Sequence, residues 1–257
     1  MKNQTFTGFV WGSIAPILLY YFLSVFLPIL LGAFFPQLLQ ENQAMWLLTF
    51  TNLLMFPLFY RMYQKDFPWR AGSHVKWRTF GWKDALLVMA GAVCVSRGVN
   101  MLIGITPLPY LFPEYETVSE TIFGCSLLSQ VAASVVSASL LEEVLVRGLI
   151  YNRMKMATYN RKWSMIISAF LFGIFHGNVV QGVYAFVLGL FFVQVYEAYQ
   201  SLVPAVLAHM AANAVSLLLG QLPWISRVYE NAACYYLITV FFLAAGAYLW
   251  KKVRIFK

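Results

Sequence analysis

Charge is what this chain has least of. Only 11% of its 257 residues are Asp, Glu, Lys or Arg, against about a quarter in soluble domains, and no stretch is long and polar enough to form a separate soluble domain. Cysteine is scarce as well. Cys94, Cys125 and Cys234 are odd in number and widely spaced, without a CxxC pair, which excludes a disulfide framework and the usual cysteine metal sites. There is no HExxH, no internal repeat and no low-complexity segment. What the chain has instead is apolar length, with 61% hydrophobic residues.

That composition predicts an all-α, polytopic transmembrane helix bundle, because a membrane helix needs about 20 apolar residues. Eight runs qualify, near residues 8–30, 44–62, 84–104, 125–152, 163–178, 180–197, 201–219 and 233–250. They predict a single membrane-embedded domain over 1–257. The first run is too long for a signal-peptide core and has no A-x-A-like site after it, so it reads as a retained span. The net charge of +8 is no sign of a nucleic-acid partner, since the basic residues cluster between apolar runs. Fifteen of the eighteen Lys and Arg lie at Lys2, in 61–83, in 153–162 and in 251–257. The loop around 105–124 carries Glu114, Glu116 and Glu120 and no basic residue. By the positive-inside rule, both termini are cytoplasmic. His74 and Trp77 fall in the basic loop and are expected at the headgroups.

Polar side chains inside the apolar runs are few, and each needs a reason. Glu142, Glu143 and Arg147 occupy the fourth run. A charged residue at mid-helix costs about 2.5 to 3.5 kcal/mol, so three cost roughly 9 kcal/mol, which aliphatic neighbours at about 0.3 to 0.6 each barely offset. Glu143 and Arg147 are four apart and predict an ion pair. Glu142 points about 100° away, and an intramembrane carboxylate is a candidate functional group. Arg97, in the third run, is also intramembrane, with either a substrate carboxylate or the outer interface open to it.

Two more pairs with a polar member repeat the four-residue spacing, Phe172 with His176 and His209 with Asn213. Counting about 1.5 Å per residue from the basic loops puts Glu142 roughly 16 Å deep, His176 roughly 21 Å and His209 roughly 12 Å, all in the middle of a core about 30 Å thick. Gly173 and Gly177 frame His176 in a small-xxx-small pattern that permits close helix approach.

Glu142-Glu143-x-x-x-Arg147, then Phe172-x-x-x-His176, then His209-x-x-x-Asn213, in that order on separate apolar helices, resemble the CPBP family of intramembrane glutamic endopeptidases. That family joins CAAX prenyl proteases to bacteriocin-processing and self-immunity proteins. The resemblance covers about 120–220, the expected catalytic core, and includes Tyr196-Glu197 and Ser201-Leu202-Val203-Pro204. It implies Glu142 as general base, His176 on the same water, and His209 with Asn213 as donors to the oxyanion. Glu143, Arg147 and Phe172 are then supporting residues, with no cofactor and no metal. The partners implied are a membrane-associated peptide or protein tail and membrane lipid, in a bacterial cytoplasmic membrane. The residues alone leave other readings open. Glu and two His are legitimate zinc ligands, a non-catalytic immunity or scaffold protein binds a peptide with the same groups, and a transporter also keeps polar residues at mid-membrane.

Overall fold

A computed structural model describes residues 6–67, 80–222 and 230–253. The expectations placed on Lys2, Arg70, His74, Lys76, Trp77, Arg78, Arg254 and Lys257 fall outside those residues. Among the described residues every regular element is helical. The long ones are α1 (Phe6–Phe34), α2 (Ala44–Asp66), α3 (Trp82–Ile105), the short α4 (Glu114–Phe123), α5 (127–158), α6 (Arg161–Phe175), α7 (Val179–Tyr199), α8 (Leu202–Gly220) and α9 (Ala232–Lys252). Five of these, α1, α3, α7, α8 and α9, are long and apolar enough to cross a membrane. At 15 residues, α6 is about 22 Å long, short of the hydrocarbon thickness.

The chain divides into two compact units. One comprises 1–76 and 119–171, the other 77–118 and 172–257.

In the first unit α1, α2 and α5 pack together. α1 turns Trp11, Leu18, Phe22, Val25 and Ile29 outward, all more than half exposed, while its buried side carries Ser13 and Pro16. Large apolar groups on the outside and small or polar ones inside are what a lipid solvent selects, since lipid tails solvate Leu as well as a core does. Two contacts fix the α1–α5 register, Arg153 Nη1 donating to the Gly12 carbonyl at 2.6 Å and Ser13 Oγ to Met154 Sδ at 3.1 Å. Arg153 also grips Asp66 Oδ2 at the end of α2, through Nε at 2.8 Å and Nη2 at 2.5 Å. α2 and α5 approach closely at Gly148, where an added Cβ would meet the Tyr63 ring at 3.1 Å.

In the second unit α3 lies against α8 and α9. Small residues set the spacing. A Cβ on Gly98 would meet the Leu243 backbone nitrogen at 3.0 Å, and one on Gly246 the Val95 nitrogen at 3.2 Å. Hydrogen bonds then tie the helices, as membrane helices require of their buried polar groups. Ser96 Oγ pairs with Tyr184 Oη at 2.9 Å and Ser216 Oγ at 3.3 Å. Tyr199 Oη donates to Asp84 Oδ1 at 2.8 Å, and Trp250 Nε1 to Gln194 Oε1 at 2.6 Å.

Candidate active site

The motif residues divide between the units, Glu142, Glu143 and Arg147 in the first and Phe172, His176, His209 and Asn213 in the second.

α5 is not a uniform helix. Two eight-residue stretches, Val131–Ala138 and Val144–Tyr151, bond from i to i+5, and between them the five residues Ser139–Glu143 keep α geometry. Both glutamates therefore ride on a short α segment between two wide turns. Such turns are rare and gather at functional sites. Side chains help to open them by bonding backward to carbonyls four residues earlier. Ser137 Oγ donates to the Ala133 carbonyl at 3.0 Å and Asn152 Nδ2 to the Gly148 carbonyl at 2.8 Å.

Adjacent in sequence, the two carboxylates differ sharply in surroundings. Glu143 Oε1 accepts from Arg147 Nη1 at 2.8 Å, and neither side chain is exposed at all. Glu142 is only partly buried. Arg147 feels both carboxylates, Glu143 the more strongly, so its direct partner is Glu143 while Glu142 keeps an accessible face.

In the second unit one phenyl ring organises both imidazoles. Phe172, 2% exposed, meets His176 edge-on at 4.8 Å between centroids and His209 edge-on at 5.9 Å. His209 is itself buried and stacks on Phe192 at 4.7 Å and 23°. Its helix is lined with Ala205, Ala208, Ala211 and Ala212, all buried, which leaves room for close neighbours. Asn213, one turn on, is partly exposed.

His176 differs from expectation in one respect. The apolar run predicts it inside a helix ending near 178, but α6 stops at Phe175 and His176 stands in the turn before α7. Gly177 adopts φ 74°, the left-handed conformation that ends helices, and Asn178 Oδ1 caps α7 by accepting from the Gln181 amide at 2.8 Å. Gly177 thus serves a turn and has open space around its α-carbon. Gly173 alone makes the close approach, since a Cβ there would meet the Gly182 carbonyl at 2.7 Å. The ring is held all the same. His176 Nδ1 lies 2.8 Å from the Phe172 carbonyl, and because a carbonyl can only accept, Nδ1 carries the proton. In a neutral ring Nε2 is then the acceptor.

Sequence reasoning missed Phe192, whose contact with His209 joins separate helices. Glu197, part of the stretch that carries the resemblance but given no role there, is a third acidic residue in an apolar helix, 5% exposed. Within either unit, the described residues gather no group of three His, Cys, Asp or Glu side chains of the kind that holds a metal ion. Arg97 is nearly buried and lies within electrostatic range of Tyr115 at the start of α4.

The described residues form an all-helical, multi-pass membrane protein that carries charged and polar side chains on its helices, Glu142, Glu143, Arg147, Glu197, His209 and Asn213 among them. Residues 124–215 match the model of the Rce1-like family, described as type II CAAX prenyl endopeptidase. The matched segment contains all seven motif residues, so the resemblance is borne out at family level. It implies a peptidase with a peptide or protein substrate and a membrane setting. No curated protein and no solved structure matches the chain.

Proposed function

We propose that this protein is an intramembrane endopeptidase of the glutamic type, cutting a membrane-associated peptide or protein tail, with eight spans and both termini on the cytoplasmic face of the cell membrane. The observation that carries the reading is the contrast on α5. Glu143 is sealed at 0% exposure against Arg147, while Glu142 beside it is only partly buried. A base that activates water needs an open face, and of the two only Glu142 is not fully covered by protein.

In the proposed reaction Glu142 takes a proton from a water molecule that His176 also holds, through the lone pair on Nε2. The water oxygen attacks the scissile carbonyl carbon as the proton moves to the carboxylate. His209 and Asn213 donate hydrogen bonds to the oxyanion that forms, the kind of preorganised stabilisation worth about 10²–10³ per donor in kcat. When the C–N bond breaks, the proton on Glu142 passes to the leaving amine and the carboxylate is restored. Peptide pheromone or bacteriocin precursors and prenylated CAAX tails are the candidate substrate classes, and the family match names the last of these.

The test is direct. Purified wild type and Glu142→Gln are incubated with a panel of such peptides, with and without a chelator, and products are located by mass spectrometry. The reading expects a cleavage product that needs Glu142 and survives chelation. No Glu142-dependent product from any peptide would overturn it in favour of a peptide-binding immunity protein, and loss of cleavage on chelation would turn it to a zinc enzyme.

A further inference from the structure

α1 lies outside the segment that matches the family, yet it brings a side chain to the candidate base. Ser13, Pro16, Tyr20, Ser24 and Pro28 recur every three or four residues and so form one stripe along the helix. Its first members are the buried ones that meet α5, where Gly12 and Ser13 are pinned to Arg153 and Met154. Further along the same stripe, Tyr20 comes within electrostatic reach of Glu142, the charge that acts most strongly on its hydroxyl.

Tyr20 also stands in the wall of a cavity of about 160 Å³ between α1 and α2, with Ser24, Pro28, Thr51, Asn52 and Met55 among its other lining residues. Asn52, 3% exposed, lines it too. Its Nδ2 donates to Ser137 Oγ at 3.2 Å, on α5 just ahead of the glutamates, and its Oδ1 has no hydrogen-bond partner among the described residues. The cavity wall is mostly apolar, and two of its residues reach α5, Asn52 at Ser137 and Tyr20 towards Glu142.

Resting on the reading of Glu142 as the base, we infer that Tyr20 is a positioning residue for Glu142, its phenol hydroxyl donating a hydrogen bond to one carboxylate oxygen and leaving the other turned towards water. A glutamate on a short α segment has three side-chain torsions to fix, and a donor from a neighbouring helix can help to fix them. A phenol is well suited to the task. It is a strong donor to an anion, carries no charge of its own, and sits on a rigid ring with few torsions to order.

Tyr20→Phe removes one oxygen and keeps the ring and the cavity wall. The expected result is a fall of about ten- to a hundredfold in kcat, the range for losing a hydrogen bond to a charged group, with KM within about twofold and the thermal midpoint unmoved. Ser24→Ala, on the same stripe, is the control and changes none of these. A second readout needs no turnover. The infrared band of the Glu142 carboxyl group, isolated by subtracting the Glu142→Gln spectrum, shifts in Tyr20→Phe if the hydroxyl bonds to it. A band that stays in place, a wild-type kcat in Tyr20→Phe, or a rise in KM alone would each overturn the assignment. If the band shifts while no peptide is cut by the wild type, the contact stands and the peptidase reading falls.

Discussion

Arg147 Nη1 donates to Glu143 Oε1 across 2.8 Å with neither side chain exposed, one residue along from a glutamate that is only partly buried. Removing either partner leaves a buried charge without its direct partner. Breaking a buried pair costs about 3–5 kcal/mol, while replacing both partners with apolar residues of similar volume is close to neutral. Glu143→Gln and Arg147→Met should therefore each lower the unfolding midpoint markedly in detergent, and Glu143→Leu combined with Arg147→Met should recover most of the loss. A double variant no more stable than the singles would show that the pair is not the unit that matters.

Much of this was legible in the sequence, and the exceptions have physical causes. The apolar runs located α1, α2, α3, α7, α8 and α9 to within a few residues, because lipid solvation demands length and composition that the chain displays openly. The Glu143–Arg147 pair followed from spacing. The wide turns of α5 did not, since switching from i+4 to i+5 bonding is decided by packing and by back-bonding residues such as Ser137 and Asn152, which also occur in ordinary helices. The early end of α6 was readable in principle. Gly177 followed by Asn178 is a stop and a start signal side by side, outweighed in the reading by the hydrophobicity around it. Phe192 on His209 and Tyr20 near Glu142 join residues far apart in the chain, and a single sequence carries no trace of such pairings.

Glu142→Asp isolates geometry from chemistry. The carboxylate stays, but it withdraws by one methylene, and a misplacement of about 1 Å at a reacting group costs around 10²-fold. The aspartate variant should lose about a hundredfold in kcat and Glu142→Gln considerably more. Because Glu142 is partly exposed, both should unfold close to the wild-type temperature.

The two glycines around His176 separate packing from turn geometry. In Gly173→Ala the new methyl meets the backbone carbonyl of Gly182 at 2.7 Å, and backbone cannot step aside as a side chain can. Overpacking of this kind costs about 1–3 kcal/mol. Gly177→Ala meets nothing but must hold φ 74°, a left-handed conformation costing a residue with a Cβ roughly 1–2 kcal/mol. Thermal melts should show both losses. Gly177→Asn should recover part of the second, since Asn tolerates that conformation, while Gly173→Asn should be worse than Gly173→Ala.

His176 offers the sharpest comparison, because its two nitrogens have different duties. Nδ1 donates to the Phe172 carbonyl at 2.8 Å, which leaves Nε2 as the acceptor for the proposed water. An asparagine places its amide near Nδ1, so His176→Asn keeps the bond to Phe172 and presents nothing where Nε2 was. A glutamine reaches the Nε2 position and gives up the carbonyl bond. If the ring acts on water, His176→Gln should retain about tenfold more kcat than His176→Asn, within the 10²–10⁴ that a positioned proton acceptor supplies, while the asparagine variant is the more stable of the two. Activity and stability would then rank the variants in opposite orders. Matching orders would reduce His176 to a residue that closes the turn between α6 and α7, and the water would need another holder.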